Sequence, residues 1–115
     1  MTKKTETQEV QEIQELTNEV SFFAKFPRPY IFEGNEYSGI DLSGLDNLTA
    51  TDLAVVERTF AKRGNVDALK ENNITFCLLI AQRATNLPFE FFDNLPIPHA
   101  NRIKIVVSAF LMEAA

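Results

Sequence analysis

Few residues in this chain could do chemistry, and their spacing limits what they could do. His99, in "LPIPHANR", is the single histidine and Cys77, in "ITFCLLIAQ", the single cysteine. One of each cannot assemble a Cys/His zinc site, and a lone cysteine cannot close an intrachain disulfide. Cys77 lies in an apolar run, where a thiol packs as a small hydrophobe, and this fits a reducing compartment. His99 follows Pro98 at the expected start of a helix, with no serine or cysteine nucleophile paired to it by a recognisable pattern, and it is read as a solvated side chain. Glu33/Glu36 and Glu90/Asp93 place carboxylates close together. Glycosidase-like chemistry would need one member of a pair buried with a raised pKa, and the reading here is solvated acids. Gly34, Gly39, Gly44 and Gly64 form neither a Walker loop nor a dinucleotide fingerprint. The expectation is a protein without catalytic residues, cofactor or metal.

Charge narrows the partners. The formal net charge is -5, and residues 1–20 carry -3 of it, with five glutamates against Lys3 and Lys4. The remainder is nearly neutral, and its basic residues are scattered, with Lys62/Arg63 and Arg102/Lys104 the densest pairs. A surface that grips phosphates by releasing counterions needs clustered lysine and arginine, so nucleic acid is not an expected partner. No apolar run reaches the roughly 20 residues of a membrane span, and "MTKKTETQEVQEIQEL" has no apolar stretch after its lysines, so neither insertion nor export is expected.

Positioning elements can be read from punctuation and periodicity. Residues 1–20 have the composition of a flexible acidic tail, with Val10, Ile13, Leu16 and Val20 spaced for a weak amphipathic helix on contact with a partner. The remainder, 21–115, is expected to be a single compact domain. In "YIFEGNEYSGIDL" the strand formers Tyr30, Ile31 and Phe32 precede Gly34-Asn35, which can take the positive φ of a tight turn, so a hairpin is expected from Tyr30 to Leu42. "LTATDLAVVERTFAKRG" has a capping box, Thr49 with Asp52, a stop at Gly64, and Leu53, Val56 and Phe60 on one face. "ITFCLLIAQRAT" is apolar nearly all round, as befits a central helix, and a connection or short turn between Asn65 and Asn73 precedes it. Pro88 can open a short turn through Phe92, and Pro98 suits the first turn of a last helix whose inward stripe is Ile103, Val106, Val107, Phe110 and Leu111. The fold class is therefore mainly α (α+β), a small N-terminal hairpin packed on a three-helix core. Within "PFEFF", Phe89 falls on one side of a helical turn and Phe91 and Phe92 on others, so a ring faces outward unless the hairpin or the last helix covers it.

Three stretches in order, "IDLSGLDNLTATDLAVVERTF", "IAQRATNLPFEFFDNLP" and "IKIVVSAFL", carry a resemblance. From about Tyr30 to Leu111 the chain resembles the tail assembly chaperones of long-tailed bacteriophages, especially those of Gram-positive hosts. The matching positions are Tyr30 and Phe32 of the hairpin; Leu45, Leu48, Thr49, Asp52 and Leu53 at the first helix; and Ala81, Ala84, Thr85, Leu87, Pro88, Glu90, Phe91, Phe92 and Leu95. They are packing and capping residues, and their joint order carries the likeness. The resemblance implies a non-enzymatic protein of the host cell cytoplasm that coats the tape measure protein during virion assembly and is absent from the finished virion. It also implies a possible frameshifted extension, beginning near "MEAA", that recruits tail tube protein, and it is compatible with self-association. Phe89, Phe110, Leu111 and Met112 are the candidate partner-binding residues, the first set apart from Phe91 and Phe92 and the others closing the last helix. The competing readings are a small helical DNA-binding regulator, whose recognition helix would have Gln82 and Arg83 to offer, and a structural tail-completion protein.

Overall fold

Two prolines sit inside the first strand, and the chain accommodates them with a bulge. In the computed structural model, which describes residues 22–64 and 70–113, β1 (Phe23–Phe32) pairs antiparallel with β2 (Asn35–Asp41). Lys25 faces Gly39 and Tyr30 faces Tyr37, so Phe26, Pro27, Arg28 and Pro29 all stand opposite Ser38 alone. Proline has no N–H to give a ladder, and a bulge is where a strand tolerates it. The hairpin thus begins at Phe23 and not at Tyr30, because the bulge carries pairing past a Pro-Arg-Pro sequence that reads as a break. Its turn is also shifted by one residue from the expectation. Phe32 pairs with Asn35, and the two loop residues are Glu33 (φ 50°) and Gly34 (φ 80°). Both have the positive φ that a two-residue hairpin turn requires.

The helices follow the expected order. A 3₁₀ segment, Ser43–Asn47, leads into α1 (Ala50–Lys62); a second 3₁₀ turn, Lys70–Asn72, precedes α2 (Ile74–Thr85); then come α3 (Phe89–Asp93) and α4 (Ile97–Glu113). Residues 1–20, the segment 65–69 and the last two residues, on which the expectations for the tail, part of the connection and a terminal extension fall, lie outside the described residues. At the start of α1 the Asp52 carboxylate accepts from the Thr49 backbone N–H (2.9 Å) and from its hydroxyl (3.1 Å). Asn73 caps α2 by accepting from the Phe76 N–H at 3.1 Å.

The core sits between the helices and one face of the hairpin. α2 is its centre: Phe76, Cys77, Leu79, Ile80 and Ala81 are buried, and Leu78 packs against them half-buried. Val56 and Phe60 of α1 face it, whereas Leu53, expected on the same face, stays exposed. Gly44 lets the 3₁₀ segment press on α2, since a Cβ there would collide with the Ala84 carbonyl oxygen. From α4, Ile103 and Val107 are buried, while Val106, Phe110 and Leu111 are half-buried against the same cluster.

Candidate functional site

The "PFEFF" rings divide between core and surface. Pro88 (φ -60°) starts α3, and helical rotation of about 100° per residue then separates Phe89 from Phe91 and Phe92. Phe91 is fully buried and meets Tyr30, Phe32, Tyr37 and Phe92 with ring centroids 4.9–5.3 Å apart, all edge-on. Edge-to-face contacts add stability beyond area alone, so this ring joins the hairpin to the helices. The Tyr30 hydroxyl donates to the Phe91 carbonyl at 3.0 Å, and burial pushes its phenol pKa up.

His99 makes the second tie, and here the solvated reading fails. The side chain is 1% exposed, because the bulge in β1 folds over the first turn of α4. Its Nε2 lies 2.8 Å from the Arg28 carbonyl oxygen. A carbonyl only accepts, so Nε2 carries the proton. The ring lies against Phe26 at 4.8 Å and Tyr30 at 6.1 Å, and Nδ1 is buried with no hydrogen-bond partner. No nucleophile adjoins it among these contacts. The paired acids are exposed, as expected: Glu33, Glu36, Glu90 and Asp93 all face solvent. Among the described residues no three His, Cys, Asp or Glu side chains converge as a metal site would need.

What remains at the surface is apolar. Phe89 is 39% exposed, with the Arg63 guanidinium 5.1 Å above its ring and Arg63 Nη1 3.6 Å from Asp93 Oδ1. The end of α1 thereby holds α3 from outside. Beside Phe89 a depression of about 250 Å³ runs past Leu78, Leu79, Phe92 and Leu95 to Ile97. Along α4, Ile97, Ile105 and Met112 are 74%, 64% and 62% exposed. With Asn101, Ser108 and Ala109 they form one stripe on the side of the helix turned away from Ile103 and Val107.

The structure does not bring the four candidate partner residues together. Phe89 lies at the α3 end, and Met112 on the outer stripe of α4 some four turns beyond Ile97. Phe110 and Leu111 face inward and are half-buried, the Phe110 ring 5.9 Å from Phe22. Sequence reasoning missed Ile97 and Ile105. The available signal was Ile105 itself, an isoleucine that falls outside the inward stripe of its own helix.

Compared with known proteins, the chain matches no family model, no curated protein and no solved structure. The two polar residues that a DNA-reading α2 would have to present are engaged at home. Arg83 Nε is 2.8 Å from Asp52 Oδ1, and Gln82 donates to the Leu87 carbonyl at 3.0 Å. The Asp52 carboxyl is held below its ordinary pKa by the Thr49 backbone N–H first and by Arg83 second.

Proposed function

We propose that this protein is a tail assembly chaperone that binds the tape measure protein in the host cell cytoplasm through the apolar outer face of α4, with Phe89 as a second contact. The observation that carries the reading is the exposed row Ile97, Ile105 and Met112 on a helix whose opposite face already fills the core. Three large aliphatic side chains left in water on one helix are a surface suited to a partner, and a helix stripe suits an amphipathic helical client. The order of motifs from Tyr30 to Leu95 supports the same assignment. A stripe of this size gives a weak grip per copy, and many copies along one long client hold it by avidity while each can still be displaced. Neither catalytic residue nor cofactor enters this role. A longer form carrying a tube-recruiting extension belongs to the same proposal.

The test is coexpression of the full chain with a long, coiled-coil-rich tail-length protein. Wild type keeps the client in the soluble fraction, and Ile105→Glu, at an exposed position, releases it to the pellet while the chaperone itself stays folded by circular dichroism. Equal client solubility with wild type and with Ile105→Glu would remove α4 from the reading.

A further inference from the structure

Among the described residues β2 pairs with β1 alone, so its second edge is open, and the register says which backbone groups that edge presents. Phe32 and Asn35 flank a two-residue turn and therefore exchange hydrogen bonds. Such pairs alternate along an antiparallel ladder, so Tyr37 bonds toward Tyr30 and Glu36 turns its N–H and C=O away. At the other end the Leu42 N–H donates to the Phe22 carbonyl at 2.7 Å, which turns Ile40 toward Ala24 and leaves Gly39 and Asp41 facing outward. α4 packs along β1, not along this edge. Among the described residues nothing pairs with the outward backbone groups of Glu36, Gly39 and Asp41.

Beside the edge lies a depression of about 520 Å³, its apolar lining drawn from Tyr37 and Ile40 of β2 and from Ala84 and Leu87 at the end of α2 and just beyond it. The charge around it is of one sign. Residues 33–57 hold six acids and no lysine or arginine. Asp52 and Glu57 are paired with Arg83 and Lys70, whereas Glu33, Glu36, Asp41 and Asp46 are exposed and, among the described residues, in no ion pair. The cations of the hairpin, Lys25 and Arg28, belong to β1. A second copy pairing edge to edge would set Glu36 and Asp41 beside their own kind, an unfavourable arrangement.

We propose that the open edge of β2 takes up, as a third strand, an extended segment of another protein in which apolar residues alternate with lysine or arginine. Its backbone pairs with Glu36, Gly39 and Asp41; its apolar side chains, on one face, meet Tyr37, Ile40 and Leu87, and its basic ones, on the other, meet the Glu36 and Asp41 carboxylates. The open backbone row makes the site, and the acids select its occupant. A third strand also adds support to a two-stranded sheet, which is marginal alone. This docking is independent of what covers α4.

Amide hydrogen exchange in the full chain tests it, with a capped seven-residue peptide alternating lysine and valine as the probe. In the free protein the Glu36, Gly39 and Asp41 amides exchange fast. With the peptide they become protected, and Glu36→Lys, at an exposed position, weakens the protection severalfold. A peptide alternating glutamate and valine gives no protection, and neither does the lysine and valine peptide N-methylated throughout, which keeps its charge and has no backbone donor. The proposal is overturned if the lysine and valine peptide protects none of the three amides, or if the N-methylated or the glutamate peptide protects them equally. It is also overturned if the three amides are already protected in the free chain, because the edge would then be taken without a partner.

Discussion

Replacing His99 by alanine tests whether the imidazole is a structural tie between the β1 bulge and α4. The ring is buried against Phe26 and Tyr30, and its Nε2 donates to the Arg28 carbonyl 71 residues away. Truncating a buried ring of this size costs about 3 kcal/mol in lost contacts and residual cavity. Losing the hydrogen bond adds about 1 kcal/mol, the usual net contribution of such a bond. A total of about 4 kcal/mol is a large part of the roughly 5–15 kcal/mol that holds a domain of this kind together. At about 4 °C per kcal/mol, the midpoint should fall by about 15 °C in calorimetry. His99→Gln separates the two contributions. Its amide nitrogen can take over the donation to Arg28 but supplies no ring, so it should recover about 1 kcal/mol relative to alanine. A midpoint for His99→Ala within about 2 °C of wild type would refute the reasoning, as would a glutamine variant less stable than the alanine one.

Further outcomes follow from the same packing. Phe91→Ala removes the ring on which Tyr30, Phe32, Tyr37 and Phe92 converge and should cost about 3–5 kcal/mol by denaturant unfolding. Gly44→Ala drives a Cβ into the Ala84 carbonyl and should cost about 1–3 kcal/mol, read from the same curves. Asp52→Asn should destabilise at neutral pH. The folded pKa of Asp52 lies below its ordinary value, so its contribution is present above that value and is lost as pH falls through the folded pKa; the gap between variant and wild type in melting should close on acidification. Phe89→Ser, at a site still 39% exposed, should move stability by no more than about 1 kcal/mol while reducing client solubilisation.

The helices were legible because their signals are local. An all-round apolar run marked α2 as central, Thr49 with Asp52 marked the start of α1, and Pro88 and Pro98 fell at the start of α3 and in the first turn of α4. Helical rotation set Phe89 apart from Phe91 and Phe92 in "PFEFF", but rotation did not decide whether the hairpin or the last helix would cover it. What escaped depends on contacts distant in sequence. Pro27 and Pro29 disguise β1, because a bulge is stabilised by what packs beneath it and not by its own residues. His99 looked solvated because its partner is a backbone carbonyl 71 positions away, which leaves no mark in composition. Of the candidate surface, Met112 was legible and Ile97 and Ile105 were not, since apolar residues beyond the inward stripe were counted as part of an ordinary helix.

The central claim is that many copies of this chain hold one long client in solution, and the mass of the purified complex tests it most directly. Under the proposed function, copurification from cells making both proteins, followed by light scattering, should give a soluble particle with many copies of this chain per client chain, which loses client when Ile105→Glu is substituted. The account is contradicted if the client sediments whether or not this chain is present, and more so if the chain alone shifts a DNA duplex at physiological salt.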